Sequence, residues 1–336
     1  MEGILTIFDT ERPAEMDSLD ELDRQLIHAL QVDGRAPLSR IAAVLGVSDH
    51  TVARRYRRLR ESNALLVVGL VDARAVGQTR WYVRIRCAPD AAMPVARALA
   101  KRPDSSFVHL VSGGTEINCV VQARDPRDHD TLLLEKLPRT PRVLSVDAHC
   151  LLHFYFGGAG EHPGLYDILD ADQVEALRPA TAARLEPVEL DERDYLMLQE
   201  LERDGRASYA TLAAATGWSE STAKRRLEHL RWTRALFFDV DRDTRLFGNL
   251  AEARVYLSVA PAEQDAVGRA LASHPEVAFA AATTGPTSLV AAIVCRDVYE
   301  LHHYITGRLG TLPAIQRIES APVIRTLKGA ATVLRQ

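Results

Sequence analysis

The chain is written twice. The segment from Leu19, LDELDRQLIHALQVDGRAPLSRIAAVLGVSDHTVARRYRRLRESNALL, aligns without a gap to that from Leu190, LDERDYLMLQELERDGRASYATLAAATGWSESTAKRRLEHLRWTRALF. From Leu19–Gly77 against Leu190–Gly248 there are about 23 identities in roughly 59 positions, far above chance for this composition. With one residue inserted the repeat continues: Ala88-Pro89 with Ala260-Pro261, Arg97 to Ala100 with Arg269 to Ala272, Gly113 with Gly285, Arg124-Asp125 with Arg296-Asp297. Two modules, each present twice in the order A, B, A, B, account for most of the 336 residues. A chain of this length exceeds what one compact core holds, so several domains are expected in any case.

Composition narrows the class further. At 47% hydrophobic and 26% charged the chain is neither disordered nor fibrous. No apolar run is long enough to span a membrane, and the acidic start (Glu2, Asp9, Glu11, Glu15) is unlike a secretion signal. Cys87, Cys119, Cys150 and Cys295 are scattered among apolar residues with no C-x-x-C pair, which predicts buried thiols in a reducing, cytoplasmic setting and no zinc framework. A net charge of −4 excludes a uniformly basic binder but leaves room for a local basic patch.

Module A predicts three short helices. Leu22, Leu26, Ile27 and Leu30 form the stripe of a first helix ending near Val32, and Leu38–Leu45 forms a second, stopped by Gly46. Ser48 is an N-cap for a third, whose buried stripe is Val52, Tyr56 and Leu59. Helices joined by such a tight turn make a helix-turn-helix. At about 100° per residue, the face opposite Val52 carries His50, Arg54, Arg57 and Arg58, with Thr51 at its edge. Five arginines, at 54, 55, 57, 58 and 60, against the single Asp49 suit a phosphate backbone and base edges in a major groove. A solvated helix face is the plainer reading of such a charge run. The second copy is diluted: Ser221, Thr222, Lys224 and Arg225 share the face with Glu228 and His229, which replace Arg57 and Arg58. DNA-contacting candidates are therefore Ser48, His50, Thr51, Arg54, Arg55, Arg57 and Arg58, with Ser219, Ser221, Thr222, Lys224 and Arg225 in the weaker copy.

Module B switches to strands. The alternation in Trp81–Cys87, a helix over Ala91–Lys101, strands at Phe107–Val111 and Ile117–Ala123, a helix at Asp128–Leu137 and a strand at Val143–Phe156 give β-α-β-β-α-β. Copy two repeats this at Arg254–Val259, Glu263–Ser273, Val277–Thr283, Leu289–Cys295, Asp297–Leu309 and Ile315–Thr326. The fold class is α+β, a helix-turn-helix followed by a ferredoxin-like unit, twice. The expected domains are 17–64, 78–156, 188–235 and 250–334, with a linker at 157–187 carrying a short helix around Asp170–Leu177. A sheet covered by helices on one face needs a partner on the other, supplied by the second B module or by another chain. The turns Ser112, Gly113, Gly114, Thr115, Glu116 and Thr284, Gly285, Pro286, Thr287, Ser288 are candidate small-molecule contacts, since glycine lets backbone N–H groups approach a ligand. An ordinary hairpin turn explains them equally simply.

These residues resemble the leucine-responsive/asparagine-operon regulator (Lrp/AsnC) family of prokaryotic transcription factors. The match rests on LD-x-x-D followed by DGR (Leu19 to Arg35, Leu190 to Arg206), on the turn motif Gly46, Ser48, Thr51 and Gly217, Ser219, Thr222, and on both β-α-β-β-α-β units. The resemblance implies double-stranded DNA as partner, an amino acid or related small molecule as effector, and assembly through the sheets into homodimers or higher homo-oligomers. Family members normally carry one copy, so this chain would be a covalent pseudo-dimer. Members that bind amino acids usually close the G-x-x-D turn with Asp. Glu116 and Ser288 stand there instead, which implies two non-equivalent sites, Ser288 supplying no charge.

Sirohaem decarboxylases look like the same architecture and form the alternative. That chemistry would need histidines and arginines converging in a B module, and His109, His149, His153, His274, His302 and His303 are available. No Ser-His-Asp set, P-loop or zinc signature is present. The expectation is a regulator with no catalytic residues, metal or cofactor.

Overall fold

The computed structural model describes residues 19–330 apart from 63, 126, 128, 129, 159–167, 182–184 and 243. The acidic start and parts of the expected linker and of the helix expected from Asp128 therefore lie outside the described residues.

Each A module folds as three helices and a strand. The first comprises α1 (Glu21–Val32), α2 (Leu38–Leu45), α3 (Asp49–Glu61) and β1 (Leu65–Val71). The second comprises α6 (Glu192–Arg203), α7 (Tyr209–Thr216), α8 (Glu220–Trp232) and β6 (Leu236–Arg242). Asp20 and Asp191 start α1 and α6 with capping boxes, each closed by an Asp three residues on. Gly46 and Gly217 end α2 and α7 in the left-handed conformation, which sets the tight turn into α3 and α8. Between the modules, α5 (Ala171–Leu177) packs on α1 and α2.

The two A modules share one core. Leu26, Ile41, Val52 and Leu59 pack in the same cluster as Met197, Leu201, Leu212 and Leu227. Strands β1 and β6 pair antiparallel, from Leu65 opposite Arg242 to Val71 opposite Leu236. Val68 lies opposite Asp239, its own counterpart in the repeat, so the ribbon carries a local two-fold axis. Across it the DGR residues exchange contacts. Arg35 donates to the carbonyls of Gly205 and Ala207, and Arg206 donates to those of Gly34 and Ala36. Arg60 pairs with Asp204, and Arg231 with Asp33. The glycines are required by closeness: a Cβ on Gly34 would sit 2.7 Å from Phe238 Cβ, and one on Gly205 would sit 2.9 Å from the Val67 carbonyl oxygen.

The B modules close on each other. Copy one supplies β2 (Trp81–Cys87), α4 (Pro89–Ala100), β3 (Ser105–Val111), β4 (Glu116–Val121), a π-helical segment Thr131–Lys136 and β5 (Val143–Phe156). Copy two supplies β7 (Ala251–Val259), α9 (Gln264–Ala272), β8 (Val277–Thr283), β9 (Leu289–Cys295), α10 (Val298–His303) with a π turn to Arg308, and β10 (Ile315–Lys328). The eight strands form a closed barrel in the order β10-β3-β4-β2-β5-β8-β9-β7. The two long strands do the closing. β5 pairs with β2 and then, from Leu151, with β8; β10 pairs with β7 and then, from Val323, with β3. Helices cover both outer faces, over cores that include Val83, Ile85 and Leu99 on one side and Val255, Leu257 and Leu271 on the other. A third cluster, with Tyr82, Val120, Tyr256 and Val290, fills the space between the sheets.

Overpacking a close approach of this kind costs about 1–3 kcal/mol. Gly34→Ala and Gly205→Ala should each destabilise by that order in urea unfolding. Gly307→Ala, where a Cβ meets nothing within 4 Å, should be neutral or slightly stabilising.

Candidate nucleic-acid interface

Helices α3 and α8 are the third helices of the two A modules. Ser48 Oγ accepts from Thr51 N–H at 3.2 Å, and Ser219 Oγ accepts from Thr222 N–H at the same distance. The two serines therefore act first as caps. Val52 and Leu59 on α3, and Ala223, Leu227 and Leu230 on α8, face the core.

The arginines of α3 divide into two groups. Arg55 donates to Asp20 at 2.6 Å and to Asp23 at 2.9 Å, and Arg58 also reaches Asp23, whose carboxylate is 1% exposed. Arg60 is committed to Asp204 across the two-fold. Arg54 and Arg57 are exposed, and neither has an ion pair among the described residues. His50 lies exposed beside them. The same division holds on α8. Arg226, the counterpart of Arg55, holds the buried Asp194 through two bonds of 2.8 and 2.7 Å, and Arg231 is bound to Asp33. Lys224 faces Glu228 at 3.9 Å, while Ser221, Arg225 and His229 are exposed.

Arg55 thus differs from the sequence expectation. It ties the third helix to the first instead of facing outward, and Arg58 is shared between that tie and the surface. A cationic run fixes which residues are charged, but not which of them a buried carboxylate claims. The signal was in the repeat: Asp23 and Arg55 recur as Asp194 and Arg226, whereas Arg57 and Arg58 do not recur.

Burial opposes ionisation of Asp20, but the hydrogen bonds from Arg55 and from the Asp23 N–H outweigh it and hold the carboxyl below its ordinary range. Its stabilising contribution is complete above the ordinary carboxylate pKa and is lost as pH falls through the depressed value. Asp20→Asn should be less stable than the parent at pH 6, and the gap should narrow towards pH 3 in matched denaturation curves. Asp23→Ala should destabilise further, by about 1–3 kcal/mol, because Arg55 keeps only the exposed Asp20 and Arg58 loses its carboxylate.

The two candidate effector turns are largely occupied by the protein itself. Glu116 is buried, and its carboxylate accepts from Arg84 Nε at 2.8 Å and Nη2 at 3.2 Å. Thr115 donates to the Ser112 carbonyl, and Gly113 and Gly114 have positive φ. In the second turn Thr284 Oγ1 accepts from Cys150 N–H, Ser288 Oγ accepts from Val259 N–H, and Gly285 packs against His149. Thr287 is half-buried. The six histidines have separate surroundings: His109 is enclosed by Arg254 and Thr326, His149 lies against Gly285, His153 stacks edge-on with Tyr155, His274 bonds Tyr304, and His302 and His303 lie on the outer helix α10. Among the described residues no helix is long and apolar enough to cross a membrane.

Family models match most of the chain. The AsnC-type helix-turn-helix domain matches residues 19–60 and 190–231, and the Lrp/AsnC ligand binding domain matches 80–157 and 252–333. The chain belongs to the Lrp/AsnC family. It is a transcriptional regulator of that type with its DNA-binding and ligand-binding modules in tandem. This Lrp/AsnC chain is 30% identical to an uncharacterised HTH-type transcriptional regulator of Pyrococcus abyssi over 40% of its own length and 85% of that protein. It is 28% identical to the HTH-type transcriptional regulator FL11 of Pyrococcus horikoshii, over 34% and 78%. The whole tandem fold is matched by the crystal structure of the sirohaem decarboxylase NirDL, with a TM-score of 0.60 at 14% identity over 93% of both chains. That likeness is one of fold.

Proposed function

We propose that this Lrp/AsnC chain binds double-stranded DNA as a covalent pseudo-dimer, with α3 and α8 each entering a major groove of one asymmetric operator. The observation that carries this reading is the pair of exposed arginines Arg54 and Arg57, without an ion pair among the described residues, on a helix clamped to a two-fold core. A guanidinium free of protein partners is available for phosphate oxygens or for bidentate contact to guanine. Ser48, His50 and Thr51 lie at the helix start that meets base edges, and Arg58 adds a phosphate contact at the flank. Arg55 serves indirectly by fixing the angle of α3.

On α8 the equivalents are Ser219, Ser221, Thr222, Lys224 and Arg225. Arg54 and Arg225 occupy the same repeat position and make the same backbone contact in both half-sites. Arg57 and Glu228 share a position and oppose each other chemically: one suits guanine, the other accepts from the cytosine amino group or repels a phosphate. Two matched helices favour a palindrome; these two favour unlike half-sites.

The ligand-binding domains sense an amino acid or related small molecule, with the turns Ser112–Glu116 and Thr284–Ser288 as non-equivalent contacts, and further copies of the chain associate into homodimers or larger assemblies. The matched domain type supports the effector reading, and the committed state of Glu116 makes a conformational change part of binding.

A footprint of the purified chain on DNA upstream of its own gene tests the first claim. Arg54→Ala/Arg57→Ala should weaken binding by about 2–5 kcal/mol, and Arg225→Ala by less. Binding should fall steeply between about 50 and 200 mM salt. A flat salt response, or equal losses from the two helices, would remove the arginine face as the main docking surface. For the effector, a panel of amino acids should contain one that raises the melting temperature in proportion to the logarithm of its concentration. A panel without any shift would count against amino-acid sensing.

A further inference from the structure

The repeat offset in the B modules is 172, and strand register confirms it. Tyr82 lies opposite Val120 and His149, as Arg254 lies opposite Ala292 and Ala321. Positions 82 and 254 are therefore equivalent, and so are 84 and 256. Both pairs face the space between the sheets, and their side chains are exchanged. Half one has Tyr82 and Arg84 where half two has Arg254 and Tyr256.

Equivalent positions meet across the barrel. The Arg84 guanidinium sits 3.9 Å over the Tyr256 ring centroid, and the hydroxyls of Tyr82 and Tyr256 are 3.2 Å apart. Arg84 also pairs with Glu319 of half two. The Asn118 side-chain oxygen accepts from the Tyr256 hydroxyl at 2.7 Å, while its nitrogen donates to Glu116. Arg254 Nη2 donates to His109 Nε2 at 2.6 Å, and the other ring nitrogen of His109 faces Thr326. The first-half partners are not duplicated: Glu116, Asn118 and His109 are matched in half two by Ser288, Val290 and Ala281.

We infer that the inner faces of the two sheets form a selective pair, in which the first-half sheet accepts the second-half sheet and rejects a copy of itself. Two first-half faces would bring Arg84 against Arg84 in a site shielded from water, where like charges are little screened and no tyrosine ring lies beneath either. Each Arg84 would keep its own Glu116, but the carboxylate from the facing sheet would be Asp147, one methylene shorter than Glu319. Two second-half faces would oppose Tyr256 to Tyr256 and set Arg254 against Ala281. The buried guanidinium would lose its histidine partner, and the Tyr256 hydroxyl would meet Val290. Smaller side chains at 281, 288 and 290 would also leave the centre underpacked. The barrel thus closes within one chain, and contacts between chains fall on other surfaces. This selectivity is independent of how the helix-turn-helix modules read DNA.

The test uses the full chain carrying Leu151→Cys and Thr283→Cys, which face each other where β5 meets β8. Oxidation should give a cross-link within the chain, unchanged across protein concentrations on a denaturing gel. Adding Tyr256→Arg, which sets arginine against arginine, should lower the melting temperature and the yield of the internal cross-link. Adding Arg84→Tyr to that variant restores the exchange in mirror form and should recover most of both losses. If Tyr256→Arg yields no folded protein, recovery of soluble, internally cross-linked chain by Arg84→Tyr is the supporting result. Cross-links between chains in a full-length Val111→Cys/Leu151→Cys variant, two positions that would face each other only if two first-half sheets paired, or losses in the double exchange equal to the sum of the two single variants, would overturn the inference.

Discussion

The reciprocal grip of Arg35 and Arg206 on the carbonyls of the opposite module is the contact on which the arrangement of this regulator depends. It works because Gly34 and Gly205 let two loops approach to a distance no side chain would allow. Neither A module closes a core alone: Leu59 and Leu227 belong to one cluster, and the β1–β6 ribbon needs a strand from each copy. Fixing this two-fold fixes the orientation of α3 relative to α8. Arg55 and Arg226, bound to Asp23 and Asp194, then carry the orientation from the first helix to the recognition helix in each module.

Internal duplication explains why so much of the fold was legible. Periodicity located the helices of both A modules and the strand Val143–Phe156, and the repeat confirmed each from its twin. The ribbon was missed for a physical reason. Leu65–Val71 reads as an apolar run without alternation, and its partner lies 171 residues away, so nothing local marks it as a strand. Barrel closure was left open between two arrangements, since alternation tells which face of a sheet is buried but not what covers it. The division of the arginines was equally hidden, because a helical wheel ranks Arg55 by angle while Asp23 selects it by distance.

Comparing the two copies separates scaffold from readout. Residues kept in both, such as Asp23, Gly34, Arg35, Arg55 and Arg60, hold helices or modules together, and most end in a partner that the other copy repeats. Differences on the outward face of α3 and α8, in the turns and in the barrel interior change charge or polarity, whereas those in the shared core, such as Leu26 with Met197 and Val52 with Ala223, exchange one apolar side chain for another. Arg54 is the instructive exception: it recurs as Arg225, yet no partner among the described residues explains it.

The last pairing of the barrel has a bearing on how the molecule is made. Lys328 lies opposite Val108, so two strands that finish the ring are more than two hundred residues apart in sequence. At translation speeds of roughly 5–20 residues per second, the first sheet waits about 10 s or longer before its complement leaves the ribosome. During that interval neighbouring nascent chains on the same message display the same unfinished face. A surface that disfavours its own copy would keep those chains apart until each meets its own second half.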